Sequence, residues 1–273
     1  MILSDDHSLK RRMTVVVWGA PLLIGCALIG GVVFLALILV VHWFVMSEFW
    51  RLAEKKGFPN NSWMSLILGS LLIIIVFVGW WWGIPLLAAV LLLGEVFRKD
   101  VVPFQRLGIS ALGWIYISLF LGCLVLIRQH GGPGRWDGAV WVLLMFTTIW
   151  VCDTAAYWGG SAWGKNPLHF KASPKKTVVG FVIGAAAGLI WALAWTQLPG
   201  IRYRIVDGLV LGVIVGAVGQ AGDLVESLFK REAEVKDTSN LLGGHGGALD
   251  RFDSILFTSP VLLAYIIIAR IWC

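Results

Sequence analysis

Charged side chains are scarce in this 273-residue sequence, where Asp, Glu, Lys and Arg together make up 14%. Soluble domains carry about 25%, so most of the chain is excluded from a water-soluble fold. Cysteines are few and scattered: Cys26, Cys123, Cys152 and Cys273 lie among apolar residues without a C-x-x-C spacing. That excludes a disulfide framework and a metal knuckle and leaves small reduced hydrophobes. No internal repeat, Pro-rich linker or low-complexity tract breaks the chain, and no Walker-type loop or Rossmann fingerprint is present. The lack of a nucleophile elbow with a Ser/His/Asp or Cys/His set argues against acyl transfer. Lys10-Arg11-Arg12 precedes an apolar run as in a signal peptide. No small-residue cleavage site follows, so the run reads as a retained first helix.

Apolar residues fill the space that charge leaves, at 58% of the chain and a mean hydropathy of +0.83. At about 20 residues per crossing, the candidate spans are 13–29, 31–50, 62–78, 80–97, 108–127, 138–159, 177–195, 205–227 and 254–272. The expected fold is therefore all-α, a polytopic integral membrane protein with about nine transmembrane helices. Only Gly30-Gly31 separates the first two spans, and only Gly79 with Trp80-Trp81-Trp82 separates the third from the fourth. Each pair also reads as one long helix, and fusing either pair would invert every later span.

The basic residues choose between these arrangements. With the N-terminus in the cytoplasm and all spans separate, every Lys and Arg of the 22 falls on the cytoplasmic side except Arg128, Arg135, Arg202, Arg204 and Arg270. That is the bias of the positive-inside rule. The same placement points the net charge of +6 at anionic lipid, with no nucleic acid partner. Many of the 16 Trp sit near span ends, as an aromatic belt at headgroup level. Gly180, Gly184 and Gly188, spaced by four, read as a close helix-packing stripe. The chain divides into residues 1–131, holding spans one to five, and residues 132–273, holding spans six to nine with cytoplasmic loops 160–176 and 228–253.

Charge concentrates between Asp223 and Asp253. Asp223, Ser227, Lys230 and Arg231 share a helix face, and Asp237, Asp250 and Asp253 follow around a Gly-rich turn holding His245. Carboxylate oxygens suit Mg²⁺, while Lys, Arg and the bare amides of glycines suit phosphate. A second ionic segment contains Asp153 and Ser173-Pro174-Lys175-Lys176-Thr177. Spans six and eight leave the bilayer on the same side, so the two segments can meet there. Pro174 in a first helical turn, with Ser173 as its N-cap, is an ordinary helix start. Two Lys and a Thr at a helix N-terminus also bind phosphate. An ionised carboxylate inside a bilayer costs at least about 2.5–3.5 kcal/mol, so Asp153, Asp223 and Glu226 each need a reason. Glu226 has Lys230 four residues on and reads as its ion-pair partner. Glu48 and Glu95 have no accompanying motif and read as structural. His245 suits a general base, a ligand or a turn residue, with a phosphate contact preferred.

The run Ser227-Leu-Phe-Lys230-Arg231, then Lys236-Asp237, then His245-Gly-Gly-Ala-Leu-Asp250-Arg251-Phe-Asp253 closely resembles the signature of phosphatidate cytidylyltransferases, the CDP-diacylglycerol synthases. Asp153-Thr-Ala-Ala-Tyr157, Gly164-Lys165 and Ser173-Pro-Lys-Lys-Thr177 are similar to that family's second block. The likeness covers the second half of the chain. Gly243 stands where the family commonly has Pro, Ala248 where it prefers a larger residue, and Val179 where a Glu is frequent; no core carboxylate or Lys is lost. The resemblance implies a bacterial-type cytoplasmic (inner) membrane enzyme, a homodimer with its active site facing the cytoplasm. It would join CTP and phosphatidic acid into CDP-diacylglycerol and pyrophosphate with Mg²⁺, and with K⁺ as a second cation.

On that reading Asp223 and Asp250 hold Mg²⁺, with Asp253, Asp237 or Asp153 completing the shell. Lys175, Lys176, Lys230, Arg231, Lys236 and Arg251 bind phosphates, and Ser173, Ser227, Thr177 and His245 add hydrogen bonds. Asp223, Asp250, Lys176, Lys230 and Arg231 form the catalytic set. Two rivals remain. A CTP-dependent polyprenol or phytol kinase would release CDP in place of pyrophosphate. An ion-coupled transporter would place its charges near the bilayer midplane on broken helices.

Overall fold

The computed structural model describes residues 18–59, 62–99, 102–130, 136–170, 172–199, 203–239 and 246–271. Among these residues the chain is helical, and its only bridge joins Pro167 to Thr177. The helices are α1 (Trp18–Ile29), α2 (Gly31–Lys55), α3 (Ser62–Val78), α4 (Gly83–Val96) and α5 (Pro103–Gln129). They continue as α6 (Asp137–Trp163), α7 (Val178–Trp195), α8 (Ile205–Glu232) and α9 (Leu249–Ile271). Six of them, α2 and α5 to α9, are long and apolar enough to cross a membrane, while α1, α3 and α4 are shorter apolar helices. The protein is thus an all-α polytopic membrane protein.

Both boundaries left open by the sequence are real breaks, and glycine makes them. Gly30 and Gly31 have φ of 71° and 54°, and Gly79 has 76°. This left-handed region is cheap only for a residue without Cβ. At the first break Arg128 of α5 donates from Nε to the Ala27 carbonyl and from Nη2 to that of Leu28. These are among the carbonyls that the end of α1 leaves without helical partners, at the negative pole of its dipole. Arg128→Ala should therefore cost about 1.5–3 kcal/mol, the range for hydrogen bonds from a charged donor. A lower melting temperature with turnover per folded molecule unchanged is the expected result, because Arg128 lies at the opposite end of the bundle from the cavity described below.

The two ends are defined by cross-helix contacts. At the Arg128 end, Gly138 packs on the backbone of Ile127 and Arg128, and the Tyr203 hydroxyl donates to the Asp137 carbonyl at 2.6 Å. At the other end Lys56 pairs with Glu234 at 3.0 Å, Lys176 pairs with Asp223, and Arg231 Nε donates to the Ala172 carbonyl at 3.1 Å.

The main apolar core runs through both halves, from Phe34 and Trp50 in α2 to Phe146 in α6 and Leu256 in α9. Around the site, packing is set by small residues. A Cβ on Gly184 would lie 2.8 Å from the Ala156 side chain, and one on Gly212 would lie 2.6 Å from the Leu189 backbone. Helices α6, α7 and α8 therefore approach as closely as the glycine spacing predicts. Two helices carry π-helical segments, Trp114–Leu119 in α5 and Val215–Gly219 in α8. Such segments shift the phase of everything beyond them and are frequent at functional sites.

Candidate active site

Four elements meet at the Lys176 end. The second half of α6 brings Asp153, the start of α7 brings Thr177, the last turns of α8 bring Asp223 to Lys230, and the first turn of α9 brings Asp250 to Asp253. They surround an open cavity of about 600 Å³. Five carboxylates line it (Asp153, Asp223, Asp237, Asp250, Asp253), with four cations (Lys175, Lys176, Lys230, Arg251) and the predicted Ser173 and Thr177. Loops 160–176 and 228–253 therefore converge as their shared side of exit implied. Arg231 and Lys236 are exposed and outside the lining, and so is half-buried Ser227. His245 lies outside the described residues.

The start of α7 differs from the expectation at Ser173. The helix begins at Val178, and its N-cap is Thr177, whose hydroxyl accepts from the Gly180 amide at 3.2 Å. The reason is the short bridge upstream. Leu168 N donates to Lys176 O at 2.8 Å and Val178 N to Asn166 O at 3.0 Å, which holds residue 177 extended until the helix starts. Ser173-Pro174 forms a turn instead, closed by Lys176 N on Ser173 O at 3.2 Å. Removing the cap with Thr177→Val should cost about 1 kcal/mol, read as a small drop in melting temperature.

Acids and bases alternate across the cavity. Lys176 pairs with Asp223, and Lys230 bridges Glu226 to Asp250, reaching Asp250 Oδ1 at 2.6 Å. The other oxygen of Asp250 gathers the following loop. It accepts from Thr238 N at 3.0 Å, Thr238 Oγ1 at 2.8 Å and Gly247 N at 2.7 Å. Asp250 is thus engaged at both oxygens. Asp223, Glu226 and Asp253 form a separate group in which one oxygen from each lies within 4.8 Å of the others. Glu226 is fully buried, and its Oε1 meets no donor among the described residues. A carboxyl oxygen buried without a partner is costly, and a bound cation would satisfy it.

Three contributors were not read as part of the site. Glu226 pairs with Lys230 as the i,i+4 spacing implied, and it also belongs to the acidic group; its position three residues after Asp223 was the available signal. Gln220, 6% exposed, donates to Gly216 O at 2.8 Å and Phe181 O at 3.1 Å. It ties the π-helical segment of α8 to the first turn of α7, one helical turn before Asp223. Glu48 reaches in from α2. It accepts from Ser239 Oγ at 2.6 Å, Ala248 N at 3.0 Å and Leu249 N at 2.8 Å, and it shares the single proton of Thr238 Oγ1, 2.9 Å away, with Asp250. A carboxylate 2% exposed thus closes the loop and sits at the positive N-terminus of α9.

Comparison with known proteins finds a matching family and several relatives. A family model described as the cytidylyltransferase family matches residues 10–269. A phosphatidate cytidylyltransferase of Bacillus subtilis is 31% identical over 262 residues, covering 93% of this chain and 96% of its own. One from Synechocystis is 28% identical over 289 residues, covering 94% and 96%. Another, from Aquifex aeolicus, reaches 42% over 147 residues, 54% of this chain and 52% of its own. The chain belongs to the cytidylyltransferase family.

Proposed function

We infer that CTP and phosphatidic acid react in this cavity. The chain forms CDP-diacylglycerol and pyrophosphate: a lipid phosphate oxygen bonds to the α-phosphorus of CTP, and the bond from that phosphorus to the β-phosphate bridging oxygen breaks. The observation that carries the reading is the convergence of Lys175, Lys176, Lys230 and Arg251 with five carboxylates on one open cavity at a span end. No strong base is needed, because a phosphate monoester with a second pKa of about 6 is already largely ionised at neutral pH. The difficulty is repulsion between two anions, which fixed cations relieve while holding the reacting atoms in line.

The protein's own charges do not suffice for this. Carboxylates outnumber cations in the lining, so two anionic substrates require additional positive charge. The Asp223, Glu226 and Asp253 group, with its donor-free buried oxygen, fits a divalent ion with hard oxygen preference such as Mg²⁺, alongside a monovalent ion such as K⁺. Asp250 borders that group through Lys230. Mg²⁺ bound there would neutralise phosphate charge and polarise phosphoryl oxygens. The chain supplies the rest. Lys176 and Lys230, now paired with carboxylates, exchange those partners for phosphates, and Arg251 and Lys175 extend the anion path. The N-terminus of α7 opens on the cavity through Thr177 and Gly180 and adds its dipole.

In the same reading the chain crosses a bacterial-type inner membrane nine times from a cytoplasmic N-terminus, with the cavity facing the cytoplasm. The positive-inside bias supports this orientation. Homodimerisation follows from the family resemblance. The test uses purified protein in detergent with labelled CTP, phosphatidate and Mg²⁺. Labelled CDP-lipid with one pyrophosphate per lipid is expected. Release of CDP with a phosphorylated alcohol substrate would overturn the assignment in favour of a kinase.

A further inference from the structure

We propose that the hydroxyl of Tyr116 is a positioning group for the carboxylates of Asp223, Glu226 and Asp253, an inference that rests on reading those three as a cation site. Tyr116 lies in the π-helical segment of α5, in the half of the chain without the signature residues. It is 3% exposed, and its hydroxyl meets no hydrogen-bond partner among the described residues. Buried hydroxyls are ordinarily paired, and each exception calls for a reason.

The surroundings of the ring supply one. It packs against Phe229 and Phe257, with centroids 5.6 Å away in both cases, and against Phe120 at 6.2 Å. Phe229 stands three residues after Glu226 on α8, and Phe257 four residues after Asp253 on α9. Each is one helical turn from an acid of the group. Tyr116 is thus wedged between the two helices that bring the carboxylates together. This packing sets side chain 116 beside the stretches of α8 and α9 that carry Glu226 and Asp253. A phenol can only approach a carboxylate favourably as a donor. When these acids turn one oxygen toward a cation, the remaining oxygens need donors, and the Tyr116 hydroxyl is a buried donor not already committed. Outer partners of this kind fix the orientation of metal-binding carboxylates and typically govern affinity by about 10–100-fold. The π-helical segment gives a physical reason for the fit, since the extra residue in its turn changes the rotation at which side chain 116 is presented.

The test is Mn²⁺ binding to the full-length detergent-solubilised protein, followed by electron paramagnetic resonance, with melting temperature recorded with and without the ion. Tyr116→Phe keeps the ring contacts and removes one oxygen. It should leave the metal-free melting temperature unchanged or higher, weaken Mn²⁺ binding by about tenfold, and shrink the stabilisation by the ion. Phe257→Leu removes one wall of the clamp but keeps the hydroxyl, and it should weaken Mn²⁺ less. Unchanged Mn²⁺ affinity in Tyr116→Phe would overturn the positioning role while leaving the cation site standing. Equal or greater weakening in Phe257→Leu would overturn it too, in favour of packing alone. Failure of the native protein to bind Mn²⁺ would overturn the cation reading and this inference with it.

Discussion

Asp223→Asn should lower CDP-diacylglycerol formation by about 10²–10³-fold or more, the scale on which losing one electrostatic stabiliser of a reacting phosphoryl group is felt, while the protein still folds. The reasoning starts from exposure. Asp223 and its partner Lys176 keep 35% and 26% of their side-chain surface accessible. The lysine freed by the substitution can therefore take up water, and asparagine fills the same volume. What disappears is one negative oxygen of the three-carboxylate group, and with it the means to hold a divalent ion against the substrates. Asp250→Asn provides the contrast. Its carboxylate is 6% exposed and receives Thr238, Gly247 and Lys230. An amide cannot accept all of these, because its nitrogen would face donors. That variant should lose turnover and also about 2–3 kcal/mol of stability, from donors left unpaired. Circular dichroism melts beside a CDP-lipid assay separate the two. Native turnover in Asp223→Asn would refute the cation assignment, and an unaltered melt in Asp250→Asn would refute the loop-gathering role.

Glu48→Ala should be nearly as damaging, although residue 48 stands in the other half of the chain. Its carboxylate accepts from the Ser239 hydroxyl and two backbone amides and shares the Thr238 proton. The Thr238 hydroxyl has Asp250 as a second acceptor at 2.8 Å, but the Ala248 and Leu249 amides have no such reserve in the helix they begin. Two orphaned amides at about 1–3 kcal/mol each give an expected loss of about 2–6 kcal/mol. The loop carrying Thr238 and Gly247 then releases Asp250, so turnover should fall together with the melting temperature. Glu48→Gln keeps one acceptor oxygen and should fall between. If Glu48→Ala melted and turned over like the native protein, the anchor would be dispensable.

Much of this arrangement could be read from the residues, and the parts that could not share a cause. Helix breaks at Gly30-Gly31 and Gly79 were visible because glycine is a local signal, and φ there is a local property. The meeting of Lys176 with Asp223 followed from two segments leaving the bilayer on one side, which charge asymmetry reports. Misplacing the N-cap at Ser173 came from a contact of intermediate range, the bridge of Leu168 and Val178 to residues about ten positions away. Glu48 escaped notice because its partners lie 190 to 201 positions away and it sits in no motif. A lone glutamate near a span end looks the same whether it faces headgroups or seats a loop. The π-helical segments were equally hidden, since one extra residue in a turn barely disturbs an apolar pattern. Glu226 was half read: its ion pair with Lys230 is a spacing of four, while its membership of the acidic group depends on Asp253 from another helix.

The anchor at residue 48 also orders events in time. Glu48 leaves the ribosome long before Ala248 and Leu249, which follow it by 200 and 201 positions. Catalytic competence therefore arrives only once α9, which carries Asp250 and Asp253, has been made and docked. A chain arrested short of that point carries an acid without its two backbone donors.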